Sequence, residues 1–203
     1  GIDPNILKDQ IEAVFEDMKI DAVKSGMLYS KDSVEAIADC LKRFSPKYYV
    51  LDPVMVSTSG SKLITDEAIE AVREMLFPLA TLITPNIEEV RVLTGISVKS
   101  VDDMQRAAET LLDCGCNAVL MKGGHLDGDE SVDMLFEKGK DGIGIRSAFV
   151  DTKNTHGTGC TLSSAIASYL ALGEDLREAF MSAKDYIIHA LYAGKDIECG
   201  KGH

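Results

Sequence analysis

The strongest constraint on the fold is the alternation of short apolar runs with helical segments along most of the chain. Runs at residues 20–24, 48–51, 81–83 and 117–121 have the length and composition of buried strands. The stretches between them carry apolar residues at helical spacing, and some begin with clear start signals such as Asp3 before Pro4. Strands that alternate with helices predict βαβ units and a mostly parallel sheet.

The C-terminal part of the sequence departs from this alternation. Two predicted strands, at residues 132–136 and 143–150, flank the turn-forming sequence EKGKDGIG, which indicates an antiparallel hairpin at one edge of the sheet. Two long helices are predicted after it, over residues 159–172 and 175–192. No repeat, low-complexity tract or linker interrupts the chain, so we predict one α/β domain over residues 1–203.

Charge and composition exclude several classes of function. The 203 residues include 21 Lys and Arg against 33 Asp and Glu, a formal net charge of −12. A strongly acidic chain repels phosphate backbones, so we predict no nucleic-acid partner. No apolar run approaches the roughly 18 residues that span a bilayer, which predicts no membrane partner. The five cysteines are irregularly spaced, which argues against a disulfide framework and predicts a reducing, cytoplasmic location.

Polar and glycine-rich sequence follows each predicted strand. Ligands of open parallel sheets bind beyond the carboxyl ends of the strands, so these segments are expected to form the site. The segments are Gly26-Met27, Asp52-Pro53, residues 84–86 (TPN), residues 122–124 (KGG) and residues 151–160.

Residues 157–160, with the sequence GTGC, open the first of the two C-terminal helices. Glycines allow a ligand close to the backbone, and a helix start offers free N–H groups and the positive end of its dipole. Gly157, Thr158 and Gly159 are therefore candidates for an anion hole suited to phosphoryl transfer. A tight strand-to-helix turn explains the same residues equally well. A P-loop is excluded because no G-x-x-x-x-G-K-[ST] run exists, and Leu162 replaces the third glycine of a dinucleotide fingerprint.

Two further side chains of this segment are candidates. Cys160 lies on the first helical turn, where the thiolate form is favoured, so it is a candidate base or ligand-facing group. A small buried side chain is the alternative interpretation. His156 either contacts phosphate or serves as a turn residue.

Magnesium ligands are predicted at the ends of two neighbouring strands. Asp52 and Asn86 end these strands, and Glu89 follows Asn86 by one helical turn, so all three can face one crevice. Carboxylate and amide oxygens suit Mg²⁺ held through water and shared with nucleotide phosphates. For Glu89, a first-turn acid that stabilises the helix dipole is the alternative.

Two lysines are candidates for contact with anionic groups. Lys122 ends a buried strand, where a lysine is costly unless it has an anionic partner, and it is the most diagnostic cation of the chain. Lys184 lies in the last helix beside apolar neighbours, and a solvated lysine is its alternative interpretation.

Several phrases taken together resemble one enzyme family. The phrases DPVM, TPNIEEV, MKGGH, NTHGTGCTLSSAIA and GKGH are similar to those of the hydroxymethylpyrimidine and hydroxymethylpyrimidine-phosphate kinases of thiamine biosynthesis. These belong to the ribokinase-like superfamily, close to a subset of pyridoxal kinases. The similarity runs in order from Asp21 to His203. It implies a three-layer α/β/α fold and an enzyme that uses ATP and Mg²⁺ to phosphorylate a hydroxymethylpyrimidine or its monophosphate.

The resemblance also leaves alternatives open. A pyridoxal kinase would use the same machinery, and a truncated homologue would bind without catalysis. Relatives often form dimers, so a homodimer is allowed. The family has an N-terminal segment, with early strands and much of the pyrimidine pocket, ahead of the helix that starts here. Because the chain begins at Gly1 without an initiator Met, we expect that this segment was cut or not observed.

By position, the resemblance implies a role for each candidate. It places Gly157, Thr158 and Gly159 in the anion hole, and Cys160 where most superfamily members have a catalytic aspartate. It implies a magnesium–phosphate network that contains Asn86 and Glu89, with Asp52 nearby. The residues implied on the nucleotide side are Asn86, Glu89, Lys122, Thr155, His156 and Lys184. Gly26 and Met27 fall in a stretch close to the pyrimidine, although Ser25 replaces a more usual apolar residue.

Overall fold

The predicted order of strands and helices is confirmed in a computed structural model, which describes residues 1–56, 62–123, 130–148 and 150–198. The helices are α1 (Pro4–Asp17), α2 (Lys31–Phe44), α3 (Asp66–Ala71), α4 (Ile87–Thr94), α5 (Val101–Asp113), α6 (Thr158–Leu172) and α7 (Leu176–Gly194). The strands are β1 (Ala22–Ser25), β2 (Tyr48–Leu51), β3 (Leu82–Ile83), β4 (Ala118–Lys122), β5 (Glu130–Glu137) and β6 (Ile143–Ala148).

The strands described form one sheet in the order β1-β2-β3-β4-β5-β6. The pairs from β1 to β4 are parallel, whereas β4–β5 and β5–β6 are antiparallel, so the predicted edge hairpin is confirmed. Each parallel strand pairs with the next strand in the chain. Crossovers of the usual hand then place every connecting helix on the same face of the sheet.

Two hydrophobic clusters, one on each face, hold the three layers together. One contains buried residues of α2 to α5, and the other contains buried residues of α6 and α7. Strand residues alternate between them, as Val50 and Leu51 of β2 do, because successive side chains of a strand point to opposite faces. The α6–α7 pair therefore covers the face that the crossover helices leave open.

The strand ends stay in register beyond the regular strands, and this places the polar residues side by side. The Asp52 amide donates to the Ser25 carbonyl (2.9 Å), and the Thr84 amide donates to the Leu51 carbonyl (2.9 Å). The Lys122 amide donates to the Pro85 carbonyl (2.9 Å). The carboxyl ends of β1 to β4 thus form one continuous edge.

The segment that begins at Asp66 is helical through residue 79, but the type of helix changes along it. Regular α3 ends at Ala71, a wider π-helical turn runs over Val72–Leu76, and a 3₁₀ turn over Phe77–Leu79 closes the segment. Pro78 has no amide hydrogen to continue a helical ladder, which accounts for the stop. The predicted strand over residues 143–150 ends at Ala148, and residue 149 lies outside the described residues.

None of the helices in the described ranges combines the length and the apolar character needed to cross a bilayer.

Candidate active site

The start of α6 presents backbone donors toward the carboxyl edge of the sheet. Its N-cap is Gly157 with φ +84°, a left-handed conformation that glycine adopts without steric cost. The Thr158 amide donates to the Thr155 carbonyl (3.3 Å). The next two amides, of Gly159 and Cys160, donate to no atom of the residues that the structure describes. With no acidic residue in the first turn, these amides remain available to an anionic ligand.

The Lys122 ammonium lies against this helix start. A Cβ built on Gly159 would lie 3.3 Å from Lys122 Nζ, so glycine at this position leaves room for the ammonium. The anionic partner that a lysine needs at the end of a buried strand is Asp52, whose Oδ1 accepts from Lys122 Nζ at 2.8 Å. One cation and two free amides therefore converge on the same space.

The Asp52 carboxylate is the centre of a buried polar network. The residue is 1% exposed, and its Oδ1 also accepts from Thr84 Oγ1 (3.0 Å). Its Oδ2 accepts from Ser163 Oγ of α6 (3.3 Å) and lies 3.9 Å from Lys24 Nζ. These contacts fix the carboxylate, which in turn fixes Lys122 beneath α6.

Asn86 and Glu89 form a capping box at the start of α4. The Glu89 amide donates to Asn86 Oδ1 (2.9 Å), and the Asn86 amide donates to Glu89 Oε2 (2.8 Å). Glu89 is 2% exposed, and this burial raises the pKa of its carboxyl group, although Lys122 and the Asn86 amide act in the opposite direction. The helix-start role considered for Glu89 is therefore present, and its carboxylate also lies near Lys122.

Most of the predicted site residues line a single cleft of about 400 Å³. Those that line it are Asp52, Asn86, Glu89, Lys122, Thr155, His156, Gly157, Thr158, Gly159 and Cys160. Cys160 is exposed, so the alternative of a buried structural side chain is wrong. The loop before α6 is held in place by the end of α7 and the residues after it, because Asn154 Nδ2 donates to the Gly194 and Ile197 carbonyls (2.7 Å each).

Three predicted residues do not line this cleft. Gly26 and Met27 follow β1 at the same edge of the sheet, but Met27 is 56% exposed. Lys184 is only 8% exposed, so its interpretation as a solvated lysine is wrong. Its Nζ donates to Asp133 Oδ2 at 2.6 Å, and Asp133 Oδ1 accepts from the Gly123 amide at 3.1 Å. Lys184 thus reaches the end of β4 through Asp133.

The charged side chains on the α6–α7 face form a line across the carboxyl edge, which we call the charged row. Its members alternate in sign and are Lys24, Asp52, Lys122, Asp133 and Lys184. Sequence reasoning missed Lys24, Asp133 and Ser163, and it placed Thr84 in a site segment without giving it a role. The two-residue period of a strand could have located the row members at the strand ends. Lys24 lies two residues after Ala22, and Asp52 lies two residues after Val50, on the face that α6 and α7 cover.

Comparison with known proteins assigns the chain to a family. The family model described as phosphomethylpyrimidine kinase matches residues 1–203. The chain belongs to the phosphomethylpyrimidine kinase family. It is 45% identical, over its whole length, to the thiamine biosynthesis bifunctional protein ThiED of Geobacter sulfurreducens, of which it spans 41%. It is 43% identical over 99% of its length to the hydroxymethylpyrimidine/phosphomethylpyrimidine kinase of Rhizobium meliloti, of which it spans 75%.

Solved structures of kinases share the fold. The crystal structure of phosphomethylpyrimidine kinase from Clostridium difficile is 48% identical, with a TM-score of 0.80 over 94% of this chain and 77% of that one. The pyridoxal kinase from Staphylococcus aureus, solved in complex with AMP-PCP and pyridoxal, is 31% identical, with a TM-score of 0.82 over 92% of this chain and 67% of that one. The three-layer, ribokinase-like fold implied by the resemblance is confirmed by these structures.

The donor set in this member of the family suits a magnesium ion shared with a nucleotide. In the described ranges, no group of three or more His, Cys, Asp or Glu side chains is arranged to hold a metal ion. Asp52 Oδ1 already accepts from Lys122 and Thr84, and Glu89 Oε2 accepts from the Asn86 amide. Such carboxylates fit Mg²⁺ that keeps water and phosphate ligands, rather than an ion caged by protein alone.

Glu89→Gln should stabilise the fold increasingly as the pH rises from about 4.5, the ordinary pKa of a glutamate, towards the raised pKa of Glu89 in the folded state. A raised carboxyl pKa means that the folded state keeps its proton when the unfolded state has ionised, so wild-type stability falls as pH rises through this window. Glutamine keeps an oxygen to accept from the Asn86 amide and has no charge to bury. Thermal unfolding of both proteins at several pH values measures the effect. A difference in Tm that is constant or shrinks with rising pH would contradict it.

Proposed function

We propose that this chain catalyses ATP-dependent phosphorylation of 4-amino-5-hydroxymethyl-2-methylpyrimidine and of its monophosphate. The observation that carries this proposal is the meeting of the Gly159 and Cys160 amides with the Lys122 ammonium in one cleft. Membership of the phosphomethylpyrimidine kinase family supports the choice of acceptor. The likeness to a kinase solved with AMP-PCP supports ATP as the donor.

The geometry suits the charge changes of phosphoryl transfer. As the acceptor oxygen attacks the γ-phosphoryl group in line and its bond to the departing ADP oxygen breaks, negative charge spreads over the equatorial phosphoryl oxygens. The amides at the start of α6 and the Lys122 ammonium are fixed before the reaction, so they stabilise this charge without reorganisation. Asp52, Thr84 and Ser163 keep Lys122 and the helix start aligned. This is positioning and electrostatic stabilisation, the chief means by which kinases act.

Magnesium enters the proposal as a partner of the nucleotide. A bound Mg²⁺ would supply positive charge that neutralises the nucleotide phosphates. Glu89 and Asn86 would hold it through water at one side of the cleft, and Asp52 would lie close to it. Thr155 and His156, both exposed beside the start of α6, would contact the nucleotide phosphates.

Turnover with three acceptors tests the proposed function. The expected result is ATP-dependent phosphorylation of the hydroxymethylpyrimidine and of its monophosphate, with pyridoxal a poorer acceptor. The likeness to the pyridoxal kinase of Staphylococcus aureus makes pyridoxal kinase the second candidate, and a preference for pyridoxal would establish it. No turnover of any acceptor, with the fold intact, would instead identify a non-catalytic homologue. Gly26 and Met27 stay the predicted contacts to the ring.

Cys160→Ala should harm the alcohol acceptor more than the monophosphate acceptor. The second pKa of a phosphate monoester is about 6, so this acceptor is already largely ionised at neutral pH and needs little help from a base. An alcohol needs a base, and a positioned base contributes about 100-fold or more. We therefore expect kcat/KM for the alcohol to fall by about that factor, against less than about tenfold for the monophosphate.

Cys114→Ala is the matched control for this substitution. Cys114 is a free thiol at the end of α5, outside the cleft, so its removal should leave both activities unchanged. Equal losses for the two acceptors in Cys160→Ala would refute a role for this thiol as the base for the alcohol.

Location and assembly stay predictions. Cys40, Cys114, Cys116 and Cys160 are all free thiols, which supports the proposed reducing cytoplasm. A homodimer is proposed from the resemblance alone.

A further inference from the structure

Lys24 is a member of the charged row that the proposed chemistry does not use, and it lacks the close carboxylate partner that Lys122 and Lys184 have. It lies next to the end of β1, and its side chain is 17% exposed. Its Nζ is 3.9 Å from Asp52 Oδ2, beyond hydrogen-bond distance, and it donates to no other atom of the described residues. The ammonium bends toward the chain that follows β1, because a Cβ built on Gly26 would lie 3.0 Å from Nζ.

The charge of Lys24 exceeds what Asp52 requires. Asp52 already has closer donors in Lys122 (2.8 Å), Thr84 (3.0 Å) and Ser163 (3.3 Å). The charged row as a whole has three ammonium groups and two carboxylates. A largely buried ammonium with three unused N–H donors is costly unless something else accepts from it. The unused donors of Lys24 indicate a ligand group that accepts hydrogen bonds, and its positive charge favours an anionic one.

The position of Lys24 separates it from the transferred phosphoryl group. Lys122 lies against the start of α6, whereas Lys24 lies on the far side of Asp52, toward Gly26 and Met27. Residues Lys24 and Ser25 also border a neighbouring cavity of about 420 Å³ between β1, α1 and α2. Lys24 therefore stands between this cavity and the cleft that Asp52 lines.

We propose that Lys24 binds the phosphate group of the monophosphate acceptor and thereby favours phosphorylation of the monophosphate over that of the alcohol. This inference rests on the proposed function. The two proposed acceptors differ by this one group. A phosphate monoester carries a charge of about −1.5 to −2 at neutral pH, and the alcohol carries none. Lys24 thus contributes binding energy to the monophosphate that it cannot give to the alcohol.

The test is the acceptor preference of Lys24→Met in the full chain. A hydrogen bond to a charged group is worth about 1.5–3 kcal/mol, so kcat/KM for the monophosphate should fall roughly 10- to 100-fold. The value for the alcohol should change by less than about threefold, since no such bond is lost with this acceptor. The ratio of kcat/KM for the monophosphate to kcat/KM for the alcohol should therefore fall in Lys24→Met, whereas Cys160→Ala is expected to raise it. Lys24→Arg should recover most of the monophosphate activity, because it keeps the charge and donors.

Lys31→Met serves as the matched control. It removes one positive charge from an exposed i,i+4 pair with Glu35, away from the site, and should leave the ratio unchanged. Thermal unfolding verifies the fold of each variant, and Lys24→Gln replaces Lys24→Met if the latter does not fold.

The outcomes separate this inference from the proposed function. If the wild type phosphorylates both acceptors and Lys24→Met loses both activities equally, Lys24 serves only the charge of Asp52 and the inference is overturned. An unchanged ratio with no loss overturns it as well. If the wild type phosphorylates neither pyrimidine, the proposed function itself fails, and the inference fails with it.

Discussion

Lys122→Met should lower kcat/KM for both pyrimidine acceptors by about 100- to 1000-fold, the usual effect of removing one preorganised donor from a site of this kind. The Lys122 ammonium lies against the free amides of α6 and is held there by Asp52 at 2.8 Å. Its charge is available before the reaction begins, so its loss raises the barrier for either acceptor. Steady-state kinetics with each acceptor at saturating ATP provides the measurement.

A second effect of this substitution must be separated from the first. Removing Lys122 leaves the Asp52 carboxylate, which is 1% exposed, without its closest counter-charge. Breaking a buried pair in this way costs about 3–5 kcal/mol of folding free energy. The double variant Asp52→Asn/Lys122→Met removes both charges and should recover much of that stability while remaining inactive. Lys122→Arg keeps the charge and should retain more activity than methionine does.

Two results would contradict this role for Lys122. One is a Lys122→Met protein that keeps kcat/KM within about tenfold of the wild type, which is less than the loss of a preorganised donor costs. The other is a double variant that regains activity together with stability, since the loss in the single variant would then reflect folding alone.

The fold was largely predictable because its signals are local. The apolar run at residues 48–51 became β2 with the same bounds, and the start signal Asp3-Pro4 became the first turn of α1, where Asp3 accepts from the Asn5 amide. The alternation of strands with helices predicts most of the topology, because right-handed crossovers between parallel strands decide on which face of the sheet each helix lies. The change of helix type over residues 72–79 was not predictable from apolar spacing, because that spacing continues through the segment.

The site was predictable where residues follow a strand end or open a helix. Asp52, Asn86, Glu89 and Lys122 follow strand ends or a helix start, and all four line the cleft. Residues 157–160 combine glycines with a helix start, and they line the cleft. The partners of each charge come from distant elements and leave no local signal. Ser163 reads as an ordinary residue of α6, yet it lies 3.3 Å from Asp52, which is 111 positions away in the chain. From the sequence, a solvated lysine was an open interpretation of Lys184. Its partner Asp133 lies in the hairpin, and sequence spacing alone does not show that the hairpin lies beside α7.

The charged row links the stability of the fold to the chemistry of the site. Asp52 connects Lys24 and Lys122, and the register of β4 with β5 places Asp133 beside Lys122. These side chains lie between the sheet and α6–α7, largely shielded from water, where a charge that loses its partner is costly. A substitution in this row therefore acts on folding and on the cleft together, and only paired variants separate the two effects.

Lys184→Met should destabilise the fold by about 3–5 kcal/mol, the cost of leaving one charge of a buried pair without its partner. Lys184 Nζ lies 2.6 Å from Asp133 Oδ2, and the two residues are 8% and 4% exposed. Asp133 Oδ1 also accepts from the Gly123 amide, so the pair joins α7 to the chain that follows β4. Denaturant unfolding at constant pH measures the loss. Exposed Lys140→Met, which breaks a surface pair with Glu137, is the matched control and should cost less than about 1 kcal/mol.

The double variant Asp133→Asn/Lys184→Met tests whether the loss comes from the unpaired charge. Asparagine has no charge but keeps an oxygen to accept from the Gly123 amide, so most of the stability should return. In Asp133→Leu/Lys184→Met the acceptor oxygen is lost as well, so the Gly123 amide no longer donates to residue 133. The backbone next to Lys122 should then lose its position, which should raise KM for ATP while the fold survives. A Lys184→Met protein that loses less than about 1 kcal/mol would show that the pair behaves as an exposed one. Equal KM values for ATP in the two double variants would show that Asp133 does not position the chain after Lys122.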